Sequence, residues 1–298
     1  MGNELVESVY IFADKFIDKQ IDNEKAPSSP CDGPGGRFEE VMSDPSNLLI
    51  DRCENAGKII DGNVVCHNNI IVPAQSYYGD FADILTLNKG VHEPAEERMF
   101  GEVLKYIPDN GTIIELGAYW AFYSMWFSKE VVNSNVYCVE PDSNNLETGK
   151  NNCKLNNVAA DFTQGRVSNL DGFRLATKSN YNNFNVKDFV EEKNIEFIDI
   201  LHSDIQGCEL VMLNDIIPLL VDKKIRYLFV STHTQEIHYS CIELLERHDY
   251  RIIASADFDD ETFCFDGIIV ACHKDNLDIP YTSLGCRRHT PLQTTCMV

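Results

Sequence analysis

From about Gly111 onward, short apolar runs alternate with amphipathic stretches, and this rhythm constrains the fold more than any other feature of the chain. Strand-length runs separated by helix-length stretches build a parallel sheet with helices on its faces. The spacing predicts strands over Thr112–Leu116, Val136–Glu140, Asp161–Val167, Phe197–Ser203, Arg226–Thr232, Arg251–Ser255 and Phe263–Cys272. It predicts helices near Ala121–Val132, Asn144–Leu155, Lys187–Lys193, Glu209–Leu220 and Glu236–His248. Only Ala256–Thr262 separates the last two strands, too little chain for a crossover helix, so they must be antiparallel neighbours. The expectation is an α/β fold: a doubly wound, seven-stranded sheet with an antiparallel last strand and an N-terminal extension.

That extension, residues 1–90, reads as three pieces. Leu5, Val6, Val9, Tyr10, Phe12, Ala13, Phe16 and Ile17 recur at helical spacing, a helix that would cap the core or pair with a second subunit to give a homo-oligomer. Lys25–Arg37 is rich in Pro, Gly and Ser and reads as a loop. Two β-prone runs within Lys58–Val72 flank His67, Asn68 and Asn69 and predict a hairpin, after which Tyr77 and Tyr78 are candidate substrate contacts in a lid. The α/β domain then spans 91–275 and a tail 276–298.

Charge narrows the partners. A formal net charge of −22 repels phosphodiester backbones and anionic headgroups, so neither a nucleic acid nor a membrane is expected, while neutral or cationic ligands are favoured. The 11 cysteines include no CxxC pair or zinc spacing, and the first residues lack a signal-peptide pattern; a reducing, cytoplasmic setting is expected.

Two strand ends carry acids. Gly111-Thr-Ile-Ile-Glu115-Leu-Gly117-Ala118-Tyr119 runs from a strand through a glycine turn into the helix containing Ser124. Gly117 permits close backbone approach to a ligand, the helix start supplies N–H groups, and Glu115 would organise the loop and orient an ammonium group. One βαβ step later, Glu140 ends the next strand before Pro141 and Asp142, where a carboxylate can accept hydrogen bonds from two ribose hydroxyls. No GxGxxG turn is present, which disfavours a nicotinamide cofactor.

From about Val91 to Cys272 the chain resembles the FkbM family of methyltransferases. The resemblance rests on His92-Glu93-Pro94, Glu115-Leu116-Gly117-Ala118, Glu140-Pro141, and Asp199-Ile-Leu-His202-Ser-Asp204-Ile-Gln206-Gly207-Cys-Glu209. Tyr119, Ala121 and His202 depart from it, standing where the family commonly has Asn, Gly and Lys. The resemblance implies a Rossmann-like methyltransferase sheet and S-adenosylmethionine, bound by Glu115, Gly117, Ala118, Tyr119, Ser124, Glu140, Pro141, Asp142 and Asp204. It implies O-methylation of a hydroxyl on a small molecule or sugar. The alternatives are N-methylation of an amine or peptide side-chain amide, and a binding protein that retains the fold without catalysis.

In a doubly wound sheet the ligand lies beyond the carboxyl ends of the strands, which places Asp204 near the transferring methyl. His233 ends the next strand and is the candidate general base, with His202 a further catalytic candidate. Glu93, Gln206 and His238 are candidate acceptor contacts, and Glu209 would brace Asp204. His202, Asp204, His233 and His238 would alternatively bind a divalent cation; that reading is not favoured, because magnesium prefers oxygen ligands to so many imidazoles. His248, His273 and His289 read as surface residues, and most of Trp120, Phe122, Tyr123, Trp126 and Phe127 as core, with Trp120 near enough to the turn to be a candidate cofactor or substrate contact.

Overall fold

The computed structural model describes residues 34–75, 81–167, 183–258, 262–264 and 266–286. The N-terminal helix, Tyr77, Tyr78 and His289 fall outside these residues. The extension contains α1 (Pro34–Ser43), a 3-10 turn (Pro45–Leu49), strands β1 (Ile59–Ile60), β2 (Asn63–Val65) and β3 (Ile71–Pro73), and α2 (Asp83–Leu87). Next come α3 (Pro94–Leu104), β4 (Thr112–Leu116), α4 (Phe122–Glu130), β5 (Asn135–Glu140), α5 (Ser143–Leu155) and β6 (Asp161–Gln164). Two short strands follow, β7 (Arg166–Val167) and β8 (Asn183–Phe184), with α6 (Val186–Glu192) after them. The chain continues through β9 (Ile198–Ser203), α7 (Glu209–Asp215), α8 (Ile217–Val221), β10 (Ile225–Thr232), α9 (Gln235–Arg247), β11 (Tyr250–Ala256) and β12 (Gly267–His273).

Seven strands form one sheet in the order β11-β12-β10-β9-β4-β5-β6. β12 runs antiparallel to both neighbours, and the pairs β10–β9, β9–β4, β4–β5 and β5–β6 are parallel. This is the doubly wound α/β sheet with an antiparallel last strand that the spacing predicts. Succession reverses between β4 and β9: the chain steps outward through β5 and β6, then returns to the other flank of β4. A crevice therefore opens beyond the carboxyl ends of β4 and β9.

Alternation along the strands divides the core. Ile113, Ile200, Phe229 and Val270 face one layer, in which α3 and α4 supply Met99, Phe100, Phe122, Trp126 and Phe127. Ile114, Leu201, Val230 and Ile269 face the other, covered by α6 to α9. The aromatic residues opening α4 are all buried, and each large ring contributes roughly 1.5–3 kcal/mol by leaving water. Val41, Val64, Ile70, Val72 and Ile84 of the extension belong to the same cluster as Phe100 and Phe229. The tail continues the packing, with Ile279 buried and Thr282 N–H donating to the Ile253 carbonyl at 2.7 Å.

Four local expectations are corrected. The Lys25–Arg37 loop ends early because Pro34 opens α1; proline is tolerated at a first helical position, where its missing N–H has no intrahelical partner to lose. The helix predicted over Glu209–Leu220 divides at Ile216, since Pro218 cannot donate within a continuous ladder. The strand predicted to Val167 leaves the sheet at Gly165, where an added Cβ would stand 2.9 Å from the Phe184 Cβ; β7 pairs instead with β8. His273, read as a surface residue, is 8% exposed and packs edge-on to Tyr250.

Candidate functional site

The turn after β4 is built around one close approach. Gly117 has φ +74°, and a Cβ placed on it would lie 1.8 Å from the carbonyl oxygen of Asp204, whose N–H donates to the Leu116 carbonyl at 2.9 Å. The glycine is thus required to seat the β9 exit loop against the β4 exit loop. Tyr119 (φ 40°) and Ala121 (φ 61°) keep a left-handed backbone without being glycine, a strain of roughly 1–2 kcal/mol each. Gly149 of α5 accommodates the turn: a Cβ there would meet the Tyr119 carbonyl at 2.7 Å.

Both strand-end acids are buried and engaged by main-chain donors. Glu140, 5% exposed, accepts the Tyr119 N–H through Oε2 at 3.0 Å and the Asp142 N–H through Oε1 at 2.9 Å. Burial raises its pKa and these N–H groups pull it back. Glu115, 3% exposed, accepts the Ser124 N–H at 2.9 Å and pairs in register with His202. Burial raises its pKa too, with His202 and Ser124 opposing. Ala118 donates to the Val139 carbonyl at 3.0 Å, and the Pro141 carbonyl accepts from Gln164 at 3.0 Å.

Two residues expected at the cofactor have structural duties. Ser124 is fully buried inside α4, where its hydroxyl meets Cys138. Asp142 is the N-cap of α5, its Oδ1 accepting from the Asn144 and Asn145 N–H groups.

The reaction edge groups the histidines differently from the sequence reading. His202 lies 3% exposed on the α3 side of β9, with Nε2 2.6 Å from Glu96 Oε1 and its ring 4.2 Å from that of Tyr123. Burial opposes its charge, but Glu96 outweighs it and raises the pKa. His202 is therefore a buried ion-pair partner rather than a catalytic residue, because strand alternation turns it into the core. His238 is fully buried as well, with Nδ1 2.7 Å from the Thr232 hydroxyl and Nε2 3.0 Å from that of Ser255. Both nitrogens being satisfied within the fold, it is not an acceptor contact; burial depresses its pKa to about 4.

His233 does reach the edge beside Asp204. Its Nδ1 lies 2.6 Å from Glu209 Oε1, while Nε2 lies 3.3 Å from Asp204 Oδ1 and 3.6 Å from Asp266 Oδ1. Burial opposes protonation, but Asp266, Asp204 and Glu209 together hold its pKa well above the ordinary histidine value. A histidine charged in this way orients groups rather than accepting a proton, which revises its reading as a free base. Burial raises Asp266 to about 7, whereas His233 outweighs burial at Asp204 and lowers its pKa. Gln206, exposed with φ 53°, donates to Asp204 Oδ1 at 3.2 Å, and the Gly207 N–H donates to Glu209 Oε1 at 2.9 Å.

Asp266 went unread in the sequence. The signal was present: an antiparallel β12 must begin at the edge where β10 ends, as Gly267 does opposite Thr232. Glu96 and Glu97 on α3 were also missed. Glu97, fully buried, binds His67 Nε2 at 2.8 Å and His92 Nδ1 at 2.7 Å, tying the extension to α3. Burial raises its pKa, but the two imidazoles prevail and hold it far below the usual carboxylate range. Glu93, half-buried, accepts the Tyr123 hydroxyl at 3.0 Å. Between Glu93, Glu96 and Asp266 lies a cavity of ≈ 30 Å³, room for a water or an ion. A larger cavity of ≈ 490 Å³, lined in part by Arg52, His67, Glu97 and Trp126, includes neither strand-end acid.

No protein-family model matches the sequence, and no curated protein matches it. Solved structures similar in chain path include precorrin-6Y C5,15-methyltransferase from Geobacter metallireducens (13% identity, 60% of this chain and 88% of that one, TM-score 0.41). M. capricolum TrmK in complex with S-adenosyl-homocysteine is another (15% identity, 62% and 69% covered, TM-score 0.36). A third is the Methanococcus jannaschii fibrillarin pre-rRNA processing protein (14% identity, 56% and 68% covered, TM-score 0.39). The fold assignment rests on the strand order itself.

Proposed function

We propose that the chain is an S-adenosylmethionine-dependent methyltransferase of the FkbM type that methylates a hydroxyl of a small molecule or sugar. The observation that carries this reading is the pair of buried carboxylates, Glu115 and Glu140, at the carboxyl ends of adjacent strands flanking the Gly117 turn. The pair fits the cofactor. Glu140 accepts two backbone N–H groups and a hydrogen bond from the Asn145 side chain, and its two oxygens together retain acceptor capacity for a ribose hydroxyl. Bound S-adenosylmethionine supplies a sulfonium methyl open to in-line displacement.

The chain then has three tasks. Glu140 holds the ribose, and Gly117, Ala118 and Tyr119 line the approach to it. Asp204 and His233 orient the acceptor hydroxyl and Asp266 takes up its proton, while Glu209 fixes the imidazole. The crowding of Glu93, Glu96, Asp204 and Asp266 favours a second reading, methylation of an amine, since these acids would attract a cationic acceptor.

Calorimetry with S-adenosylmethionine or S-adenosylhomocysteine tests the cofactor, with micromolar affinity expected. Glu140→Ala is expected to weaken binding by roughly 1–3 kcal/mol, and unchanged affinity removes Glu140 from the site. Mass spectrometry of products from hydroxylated, amine and RNA acceptors then decides the acceptor. RNA is expected to fail against a net charge of −22, and a methylated RNA product would reverse the acceptor reading.

A further inference from the structure

We propose that Asp204, His233 and Asp266 form a binding site for a divalent first-row transition-metal cation, with Glu209 as the group that orients the imidazole. Among the described residues these three converge, each offering one ligand atom within 4.8 Å of the others. They come from three places that only the folded sheet unites: the loop after β9, the loop after β10, and the entry to β12.

A separate observation points to a ligand. The His233 side chain is 6% exposed, and its buried Nε2 makes no well-aligned hydrogen bond, only ion-pair contacts with the two aspartates, although Nδ1 is bound. Nε2 points between two carboxylate oxygens at 3.3 and 3.6 Å. The longer contact lies outside hydrogen-bond range; the shorter falls within, and the longer just beyond, the roughly 3–3.5 Å expected between neighbouring ligands that each lie about 2.1 Å from a common ion. At Nδ1, the Glu209 carboxylate at 2.6 Å accepts the ring N–H and aims Nε2 at the two aspartates, so that a metal would bind there by displacing the Nε2 proton. A metal-bound histidine characteristically gives its other N–H to a carboxylate in this way.

The ligand set selects the ion. With His202 and His238 turned into the core and Asp266 brought in, it becomes two carboxylates and one imidazole. One nitrogen donor beside two oxygens suits Mn²⁺, Fe²⁺ or Zn²⁺ better than Mg²⁺ or Ca²⁺, which take oxygen sets. The two aspartates would balance the ion's charge in a region already crowded with acids. Binding stands apart from the methyl-transfer reading; only a role in acidifying an acceptor hydroxyl rests on that reading.

The test uses the full-length protein, stripped with chelator and titrated with Mn²⁺ without S-adenosylmethionine, read by calorimetry and by loss of the free-Mn²⁺ electron paramagnetic resonance signal. One equivalent is expected to bind at micromolar or lower Kd and to raise Tm. Asp266→Asn and Asp204→Asn, each isosteric and checked for native circular dichroism, are expected to weaken binding at least tenfold. Glu209→Gln should weaken it by about tenfold to a hundredfold. Wild-type protein loaded with Co²⁺ provides a reading independent of any variant, a visible spectrum with nitrogen and oxygen ligation. Failure of the wild type to bind Mn²⁺, Co²⁺ or Zn²⁺ at millimolar concentration overturns the site, as does binding unchanged in a folded Asp266→Asn protein. S-adenosylhomocysteine titrated in the presence of chelator tests the cofactor separately, so either proposal can fail alone.

Discussion

His238 shows how a single buried group couples stability to pH. Its imidazole is confined between the Thr232 and Ser255 hydroxyls with a pKa near 4, against 6.5 for the free side chain. The unfolded chain therefore takes up this proton below pH 6.5, while the folded one resists until about pH 4. Above 6.5 the residue costs nothing, and as pH falls toward 4 it progressively favours unfolding, by about 2 kcal/mol at pH 5. Urea unfolding at pH 7.5 and pH 5 should show a smaller loss in His238→Gln than in the wild type. Equal losses in the two proteins would mean that His238 titrates normally.

At the scale of elements, the decisive contact is between the exits of β4 and β9. Gly117 carries both a left-handed φ and the carbonyl of Asp204 within 1.8 Å of where a Cβ would stand. Gly117→Ala must therefore move the loop that presents Asp204, as well as strain its own backbone. A loss of at least about 2 kcal/mol is expected from the backbone and the clash together, measured by denaturant unfolding. The same variant should lose Mn²⁺ binding even where it remains folded. A stable Gly117→Ala protein with wild-type metal affinity would separate the two loops.

At the scale of the molecule, a net charge of −22 makes the compact state repel itself. Screening should relieve that repulsion, so Tm is expected to rise between 10 and 150 mM NaCl, where the Debye length falls from roughly 30 Å to 8 Å. A Tm that falls over this range would show that surface ion pairs outweigh the repulsion. Among the described residues no helix is long and apolar enough to cross a membrane. The extension and tail share the central core, so unfolding should be one cooperative event across these parts.

The sequence by itself determined the sheet and its acids, because strand periodicity, glycine turns and linker length are local properties. Thr112–Leu116 is a strand as predicted, and the short Ala256–Thr262 link was enough to require an antiparallel ending. Local pattern also placed Glu140, Asp204 and His233 at strand ends. It could not tell which neighbouring polar side chains would turn into the core. His202 and His238 were read as site residues beside His233, yet Glu96 captures one and the Thr232 and Ser255 hydroxyls capture the other. Asp266, 33 residues beyond His233, meets it only because β12 returns antiparallel beside β10. Membership of the cluster was decided by the packing of α3 and the direction of β12, long-range contacts that no local spacing encodes.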